Sequence, residues 1–511
     1  MLVDGMVISE SNQIVGDWNT TRKSRVSLVG DTGLLAFSES IAILVGIFSQ
    51  VLLTRGLSAN EYGNWIVIFD AGLTIFLLAD PGISTVIGRE IPSNPSASSQ
   101  FLSSIARLQF VLLTSTIVVS YCLWSLLDVN IGFPVKPMLL ICIGAFSIAV
   151  SSVYKAFLRS TGKASWEAFM RVVDRLLLAF GYYLVFDKDG TLNDYSMTMA
   201  IVPFFSACVI IFLAFFHARK LSTDYDVRTE ETYTMSVIIK KSLPYFAFIF
   251  LLQIMDRIDK FILYLNSTPT EQIATYGISL LVFFTGMAVI RVIRNVMLPW
   301  FSENAITLQP LVVRKYNQAF AFVCFLIPMG VLAAQLVMMT IPIVVFPEEY
   351  IFPEHGLFTS ESIFRILLVT LCLQMVISPS WESVRAFSPP SSLNVTAFSG
   401  VAIAVLFGLF SIPVWGVYGA AMMTSVAPFV FLIISHRLMP EVIRSSLSRS
   451  YYVTLFSMVV FSFSPLIFFI DGITPISGYL VMVSLSAVIS LVVYSYWRSI
   501  MEDQPPRGIV G

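Results

Sequence analysis

The sequence carries little charge and few of the residues that build soluble active sites. Only 12% of its 511 residues are charged, 56% are hydrophobic, and the net charge is −1. Soluble domains carry about 25% charged residues, so the composition excludes an ordinary soluble protein, and it offers no basic surface for nucleic acid. The three histidines lie far apart, and the five cysteines form no CxxC pair. Neither a metal cluster nor a disulfide framework is expected.

Three further absences narrow the function. The chain has no Gly-x-x-x-x-Gly-Lys-Ser/Thr segment, so a P-loop for ATP is not expected. The first 30 residues are polar and lack the apolar core of a signal peptide. No loop is long enough to fold as a soluble catalytic domain. We therefore expect a membrane protein that is not an enzyme and that needs no cofactor.

Long apolar runs dominate the chain, and the mean hydropathy is +0.81. A helix needs about 20 apolar residues to cross a bilayer. Runs of this length predict an all-α polytopic membrane protein with fourteen transmembrane helices, near residues 32–53, 63–88, 101–127, 135–155, 164–186, 195–216, 242–265, 274–298, 317–345, 361–380, 391–412, 414–435, 451–470 and 477–497. Because only Ile412-Pro413-Val414 divides two of these runs, twelve spans stay open as the alternative.

Lysine and arginine are distributed unevenly between the predicted loops. With the N-terminus inside, twenty of the 31 fall in cytoplasmic segments and three in outer loops. Loops rich in lysine and arginine stay in the cytoplasm. We therefore expect a multi-pass protein of the cell membrane with both termini cytoplasmic.

The longest loop predicts a division into two lobes. The expected parts are a cytoplasmic N-terminal segment, an N-lobe of six spans, a cytoplasmic linker, a C-lobe of six spans, two additional spans and a cytoplasmic tail, at residues 1–31, 32–216, 217–241, 242–435, 436–497 and 498–511. A repeat supports this division, because Tyr62-Gly63 with Gly72 recurs at the same spacing as Tyr276-Gly277 with Gly286. It predicts two pseudo-symmetric lobes around a central cavity, as in alternating-access transporters.

Four motifs, in a constant order along the chain, resemble a known family. They are Leu53-Thr-Arg55-Gly-Leu-Ser-Ala-Asn-Glu61-Tyr62-Gly63, Asp256-Arg257-Ile-Asp259-Lys260 followed by Tyr276-Gly277, Phe346-Pro-Glu348-Glu349-Tyr350 followed by Phe364-Arg365-Ile-Leu, and Trp415-Gly416-Val-Tyr-Gly419-Ala-Ala. Together they resemble the polysaccharide flippases (Wzx or RfbX-like proteins) of the multidrug/oligosaccharidyl-lipid/polysaccharide exporter superfamily. The first loop departs from the family pattern at Gly56 and Ser58-Ala59.

The resemblance implies a flippase that moves a polyprenyl-(pyro)phosphate-linked oligosaccharide for the synthesis of surface polysaccharide. A polysaccharide polymerase or glycosyltransferases would be its partners, and the lipid bilayer its surroundings. Its substrate needs a cavity that neutralises the phosphates, and a gap through which the lipid tail stays in the membrane. Arginine suits phosphate because its planar fork gives paired, charge-assisted hydrogen bonds.

Six cations inside predicted spans are the candidates for this cavity: Arg171, Arg175, Arg257, Lys260, Arg291 and Arg294. A charge at the centre of a spanning helix costs about 2.5–3.5 kcal/mol, so we expect these side chains to face protein or a watery cavity. Because they lie at several depths, they could pass an anion across the membrane. Structural alternatives are that Arg291 and Arg294 snorkel to the cytoplasmic interface, and that Asp174 holds its two arginine neighbours in an internal salt bridge.

Structural charge pairs or gate contacts are predicted for four other charged residues: Arg55, Glu61, Asp256 and Asp259. Asp256 can pair with Lys260 four residues later on a helix. Asp259 would pair with Arg257 in the same motif. The two residues of the first loop are expected to close a contact between the lobes.

Carboxylates within predicted spans are the candidates for coupling to a proton or sodium gradient. They are Glu39, Asp70, Asp80 and Asp174. Asp80 precedes Pro81-Gly82, an expected helix break where freed carbonyl groups can also meet a cation. For each of them a structural hydrogen bond is the alternative.

Two other functions stay open at this point. A cation-coupled multidrug antiporter of the same superfamily would be expected to have an acidic and aromatic cavity rather than clustered arginines. A membrane polysaccharide polymerase or glycosyltransferase would be expected to carry a large outer loop or a soluble domain.

Overall fold

The computed structural model describes residue 34 and residues 37–76, 80–93, 97–127, 135–224, 233–302, 309–352, 359–388, 390–470 and 474–502. Within these ranges every regular element is a helix. The predicted N-terminal segment 1–31 and most of the predicted tail lie outside the described residues.

Within the described ranges, the first half of the chain forms seven α-helices. Their bounds are α1 Phe37–Gly56, α2 Ala59–Phe76, α3 Ile83–Ser93, α4 Ser98–Leu127, α5 Val135–Ser160, α6 Ala164–Phe186 and α7 Leu192–Asp224.

The described residues of the second half form eleven α-helices and a 3₁₀ helix, Ser464–Phe469. The α-helices are α8 Met235–Met255, α9 Ile258–Leu265, α10 Thr270–Ser302, α11 Gln309–Val345, α12 Glu348–Ile351, α13 Ser360–Phe387, α14 Pro390–Trp415, α15 Val417–Leu438, α16 Glu441–Ser445, α17 Arg449–Ser462 and α18 Pro475–Glu502.

Each predicted span overlaps one or two of these helices, which confirms the all-α membrane fold. Within the described ranges, ten helices are long and apolar enough to cross a bilayer, and α8, bent between Leu243 and Tyr245, would be an eleventh. The choice between fourteen and twelve spans stays a prediction.

Two predicted spans are each broken into two α-helices. The span at 63–88 consists of α2 and α3, and the expected break lies around Asp80-Pro81-Gly82. Gly82 has a φ of +81°, and a Cβ at this position would lie 2.8 Å from the carbonyl oxygen of Ser242. Both constraints favour glycine. The span at 242–265 is interrupted at Asp256-Arg257, between α8 and α9.

Buried side chains divide the molecule into two bundles. One apolar cluster joins α3, α4, α5, α6 and α7 and includes Phe101 and Phe157. We count α1 and α2 with this first bundle, because Glu39 of α1 pairs with α6 and Gly72 of α2 packs against α5. A larger one joins α9, α10, α11, α13, α14, α15, α17 and α18, also includes Val67 of α2, and contains Tyr316 and Phe364. The first turns of α8 pack in the first cluster through Ile238, while later side chains of α8 pack against the second.

A third apolar cluster connects the two bundles. It combines residues of α1, α2, α5, α6 and α7 with residues of α10, the end of α11 and α12. Within it, Gly63 of α2 lies against the carbonyl of Thr270 in α10, and Gly277 of α10 lies against Ile66 of α2. The two Tyr-Gly motifs of the repeat therefore face each other across the contact between the bundles.

The later glycine of the repeat has the same role in both halves. A Cβ at Gly72 of α2 would lie 3.2 Å from Cβ of Ala145 in α5. A Cβ at Gly286 of α10 would lie 2.9 Å from Leu371 in α13. Each glycine lets its helix approach a neighbour within its own bundle, so equivalent positions of the repeat make equivalent contacts.

Tyrosine hydrogen bonds attach α17 and α18 to the rest of the second bundle. The hydroxyl of Tyr316 in α11 lies 2.9 Å from the Tyr451 hydroxyl of α17 and 3.0 Å from Ser380 Oγ of α13. Tyr496 of α18 donates to Asn317 Oδ1 of α11 at 3.1 Å. These bonds satisfy polar groups within the bundle and hold α17 and α18 against it.

Candidate functional site

A group of charged side chains, the central ion cluster, lies between the two bundles. It consists of Asp70 on α2, Arg257, Asp259 and Lys260 at the start of α9, and Tyr276 on α10. Lys260 Nζ lies 2.7 Å from Asp70 Oδ2 and 3.9 Å from Asp259 Oδ1. The lysine side chain is only 3% exposed, and a buried ammonium of this kind requires paired carboxylates.

The other members of the central ion cluster complete its hydrogen bonds. Arg257 Nε lies 3.6 Å from Asp70 Oδ1, and its Nη1 donates to Gln253 Oε1 at 2.7 Å. Asp259 accepts hydrogen bonds from the Tyr276 hydroxyl and, at 2.8 Å, from the backbone N–H of Lys260. Two cations and two carboxylates thus balance each other where the bundles meet.

The pairing predicted within this motif is wrong because the helix ends there. With α8 ending at Met255 and α9 beginning at Ile258, Asp256 and Lys260 do not lie on one continuous helical face. Lys260 Nζ donates to the backbone carbonyl of Asp256 at 3.1 Å, and its carboxylate partner is Asp70 instead. The Asp256 side chain is exposed, with Arg291 among the charges near it.

The predicted partner of Arg257 is also wrong. Arg257 pairs with Asp70 rather than with Asp259, so the motif is neutralised from α2 rather than within itself. Asp70, predicted as an ion-coupling residue, is therefore a counter-ion in this structure. The carboxylate partner of Arg257 lies far from it in the sequence, so the spacing within the motif could not identify this partner.

A second charged group lies within the first bundle. Arg171 of α6 pairs with Glu39 of α1 and, at 2.6 Å, with Glu167 one turn earlier. Arg159 of α5 lies 3.5 Å from the same Glu167. Since Glu167 is almost fully buried, these arginines neutralise a carboxylate that would otherwise be costly to bury.

Asp174 does not bridge Arg171 and Arg175, contrary to the alternative drawn from their spacing. Its Oδ2 lies 2.6 Å from Lys155 Nζ of α5, and its Oδ1 accepts from Ser206 of α7. Arg175 is exposed and makes no hydrogen bond or ion pair with the part of the chain that the structure describes. Of the two arginines on α6, it is the one available to a ligand.

A third charged group, formed around Arg294, lies within the second bundle. Arg294 of α10 donates from Nε to Ser378 Oγ at 2.9 Å and from Nη2 to Gln374 Oε1 at 2.7 Å. It also binds the carbonyl of Gln374 at 2.8 Å, so Arg294 is bound to α13 and does not snorkel. The neighbouring Arg291 is exposed.

Two other candidate carboxylates cap helices. Asp80 accepts from the backbone N–H of Ser84 at 3.0 Å and from the Ser84 hydroxyl, at the first turn of α3. Glu61 accepts from the N–H of Ser58 at 3.1 Å, while Ser58 Oγ accepts from the N–H of Glu61. This second arrangement is a capping box at the start of α2. Of the first-loop pair, only Arg55 reaches the other bundle, donating to the carbonyl of Val345 at 3.1 Å.

The sequence reasoning missed two buried glutamates, Glu167 and Glu382. Glu382 in α13 is fully buried and pairs with Arg385 at 2.9 Å. Each glutamate precedes an arginine by three or four residues, a spacing at which helical side chains meet. This spacing in the sequence could have identified both glutamates as partners of the arginines that follow them.

The predicted site residues therefore do not share a single pocket. Some belong to the three groups, whereas others, among them Asp80, Glu61, Arg175 and Arg291, lie outside them. Apolar cavities occur outside these groups in the described part of the chain. One, of about 520 Å³, lies between α17, the 3₁₀ helix and α18, and another, of about 350 Å³, lies between α11 and α18. The first is lined by Phe456, Val460, Leu485 and Ile489 among others. A central chamber between the bundles stays a prediction.

Several solved structures similar to this chain are described as membrane transporters or flippases. The lipid II flippase MurJ in an inward closed conformation matches with a TM-score of 0.64 and 16% identity, over 92% of this chain and 99% of that chain. A MATE transporter of Vibrio cholerae matches with a TM-score of 0.57 and 14% identity, over 83% and 98%. A multidrug resistance MATE family transporter of the MOP superfamily, outward-facing, matches with a TM-score of 0.57 and 15% identity, over 80% and 93%.

These similarities identify the fold, because similar backbones are found at low sequence identity. No family model matches the sequence, and no curated protein matches it either. The chain has the fold of MurJ and the MATE transporters. Fold alone does not assign a substrate.

Proposed function

We propose that this protein is a flippase that moves a polyprenyl-(pyro)phosphate-linked oligosaccharide across the cell membrane by alternating access. The observation that carries this proposal is the central ion cluster, which places Arg257 and Lys260 between the two bundles and against a carboxylate of the opposite one. Ionisable side chains inside a membrane protein are functional candidates. This pair is suited to an anionic ligand.

Binding of a phosphate group to this cluster can be coupled to movement of the bundles. Asp70 belongs to α2 of the first bundle, whereas Lys260 belongs to α9 beside the second. A pyrophosphate offers more negative charge than one carboxylate and accepts forked hydrogen bonds. If it replaces Asp70 as the partner of Lys260, the ion pair between the bundles is lost. Substrate would then favour the conformation in which the bundles have rotated apart.

The apolar cavity between α17, the 3₁₀ helix and α18 supports a lipid-linked substrate. Its volume of about 520 Å³ and its lining of aromatic and aliphatic side chains suit part of an isoprenoid tail. The tail could then stay in an apolar environment while the sugar and phosphates cross between the bundles, because burying polar groups in lipid is costly.

The extent of the structural matches favours a flippase over a multidrug antiporter. The MurJ match extends over 92% of this chain, while the two MATE matches extend over 83% and 80% of it although they include nearly all of those proteins. The additional length of this chain is therefore better accounted for by the flippase architecture.

Reconstituted vesicles test the proposal directly. The purified protein, placed in liposomes with a fluorescent lipid-linked oligosaccharide, should move the sugar to the side protected from an added glycosidase. We expect Arg257→Gln and Lys260→Gln to lower the flipping rate at least tenfold, because each removes a cation from the central ion cluster. Arg107→Gln, which changes an exposed arginine on α4, is the matched control and should leave the rate unchanged.

The same system separates the alternatives. Export of cationic dyes without movement of the lipid-linked sugar would instead identify an antiporter. In cells that lack the protein, lipid-linked sugars should accumulate on the cytoplasmic face. Accumulation of flipped but unpolymerised units would point to a polymerase. Imposing a proton or a sodium gradient on the vesicles tests the proposed ion coupling, since only the coupling ion should drive accumulation.

A further inference from the structure

Three of the four sequence motifs, dispersed over some three hundred residues, meet at one place between the bundles. We call this place the outer seam. Its residues in the first half are Arg55, Leu57, Asn60, Tyr62, Gly63 and Ile66, and those in the second half are Thr270, Gly277, Val345 and Tyr350. The first motif supplies every member of the first set except Ile66, and the Tyr-Gly and Pro-Glu-Glu-Tyr motifs supply members of the second.

Three hydrogen bonds cross the outer seam. Tyr350 donates from its hydroxyl to the carbonyl of Leu57 at 2.7 Å, and Arg55 donates to the carbonyl of Val345. The Thr270 hydroxyl donates to Asn60 Oδ1. Burial raises the pKa of the Tyr350 hydroxyl, so this group stays protonated and donates its hydrogen bond.

Close backbone contact accompanies these bonds. The Cα of Gly63 faces the carbonyl of Thr270 so closely that a side chain would collide with it. The ring of Tyr62 meets that of Tyr350 edge to face, with 5.5 Å between centroids. Side chains from the end of α11 and from α12, including Phe346 and Ile351, are buried in the cluster formed with the first bundle.

We infer that the outer seam is the outer gate of the transport cycle, with Tyr350 of α12 as its latch. The inference rests on the proposed alternating access, and it uses the orientation predicted from the lysine and arginine distribution. The contacts of the outer seam suit a gate, which must open and close in each transport cycle. Each hydrogen bond contributes only modestly to the stability of the closed seam, because carbonyl groups released at helix ends can bind water instead. A short helix of four residues, Glu348–Ile351, can move without unfolding a long span.

Cross-linking tests whether the outer seam must open. In a chain whose native cysteines are replaced by alanine, Asn60→Cys with Thr270→Cys should form a disulfide across the seam. Oxidation should then lower flipping at least tenfold, and reduction should restore it. The control pair is Gly181→Cys with Thr198→Cys, which joins α6 and α7 within the first bundle and should not change the rate. Undiminished flipping by the cross-linked seam would overturn the inference.

A second measurement needs no substrate and therefore separates this inference from the proposed function. Ile66→Cys places a thiol behind the seam, against Gly277. We expect Tyr350→Phe, which removes the latch bond, to increase labelling of this thiol several-fold by a membrane-impermeant maleimide added outside. Unchanged labelling, or labelling only from the cytoplasmic side, would reject the gate. Increased labelling in a protein that flips no lipid-linked sugar would retain the gate and reject the flippase.

Discussion

A single lysine neutralises carboxylates from both halves of the molecule. Lys260 is shared between Asp70 on α2 and Asp259 on its own helix. Removing one partner of a buried ion pair leaves the other charge without compensation, which typically costs about 3–5 kcal/mol. Replacing both partners by apolar residues of similar volume is often neutral. The stability of the protein should therefore respond differently to single and double substitutions here.

We predict that Lys260→Met lowers the thermal stability of the purified protein strongly. The double variant Lys260→Met with Asp70→Leu should recover a large part of the loss, because it removes one carboxylate together with the ammonium and leaves Arg257 and Asp259 as one charge of each sign. Melting curves in detergent, followed by gel filtration of the remaining folded fraction, measure both effects. Strictly additive losses in the double variant would show that the two side chains do not depend on each other.

At the scale of secondary-structure elements, glycines determine how closely several helices approach each other. Gly144 of α5 faces the carbonyl of Met199 in α7 without room for a side chain. Gly330 of α11 has open space around it. Both lie inside long helices, so their intrinsic helix propensities are alike and only the packing differs.

We predict opposite effects for the same substitution at these two positions. Gly144→Ala should destabilise the first bundle by about 1–3 kcal/mol, because overpacking separates α5 from α7. Gly330→Ala should be neutral or stabilise by up to about 1 kcal/mol, since alanine favours the helix. Thermal unfolding of the two variants checks the difference. Equal effects would mean that the contact with Met199 does not limit packing.

The sequence was sufficient to locate the elements, but not to place the charges against their partners. Each apolar run marked by hydropathy overlaps a helix, because a bilayer requires apolar runs of a fixed length, and Pro81-Gly82 correctly predicted a break. The partners of Asp174 and Arg294 could not be read locally, because they belong to other helices. Arg257 shows the same limit: the helix ends beside it, so helical spacing no longer describes its neighbours.

The resemblance to the flippase family predicted the fold better than it predicted the contacts of the candidate site residues. It led to the architecture shared with MurJ and the MATE transporters. Of the six candidate cations, only Arg175 and Arg291 are exposed, while the others are held by carboxylates, amides or hydroxyl groups. Pairing of this kind depends on the packing of whole helices, which no short motif specifies.

At the scale of the whole molecule, the orientation in the membrane is open to measurement. We predict that reporters fused after residue 224 and after residue 502 both lie in the cytoplasm, because lysine and arginine are concentrated in those segments. Ser267→Cys, in the exposed turn after α9, should react with an impermeant thiol reagent from outside. Reporters on opposite sides of the membrane would require an odd number of spans between these points.

The balance of charges where the bundles meet has an electrical consequence. With its four ionisable groups charged, the central ion cluster sums to zero: Asp70 and Asp259 against Arg257 and Lys260. Moving one elementary charge through the membrane potential requires about 2.3 kcal/mol per 100 mV, and a neutral set requires almost none. The empty carrier should therefore return at a rate that the membrane voltage hardly affects, whereas a carrier loaded with pyrophosphate should respond to the voltage.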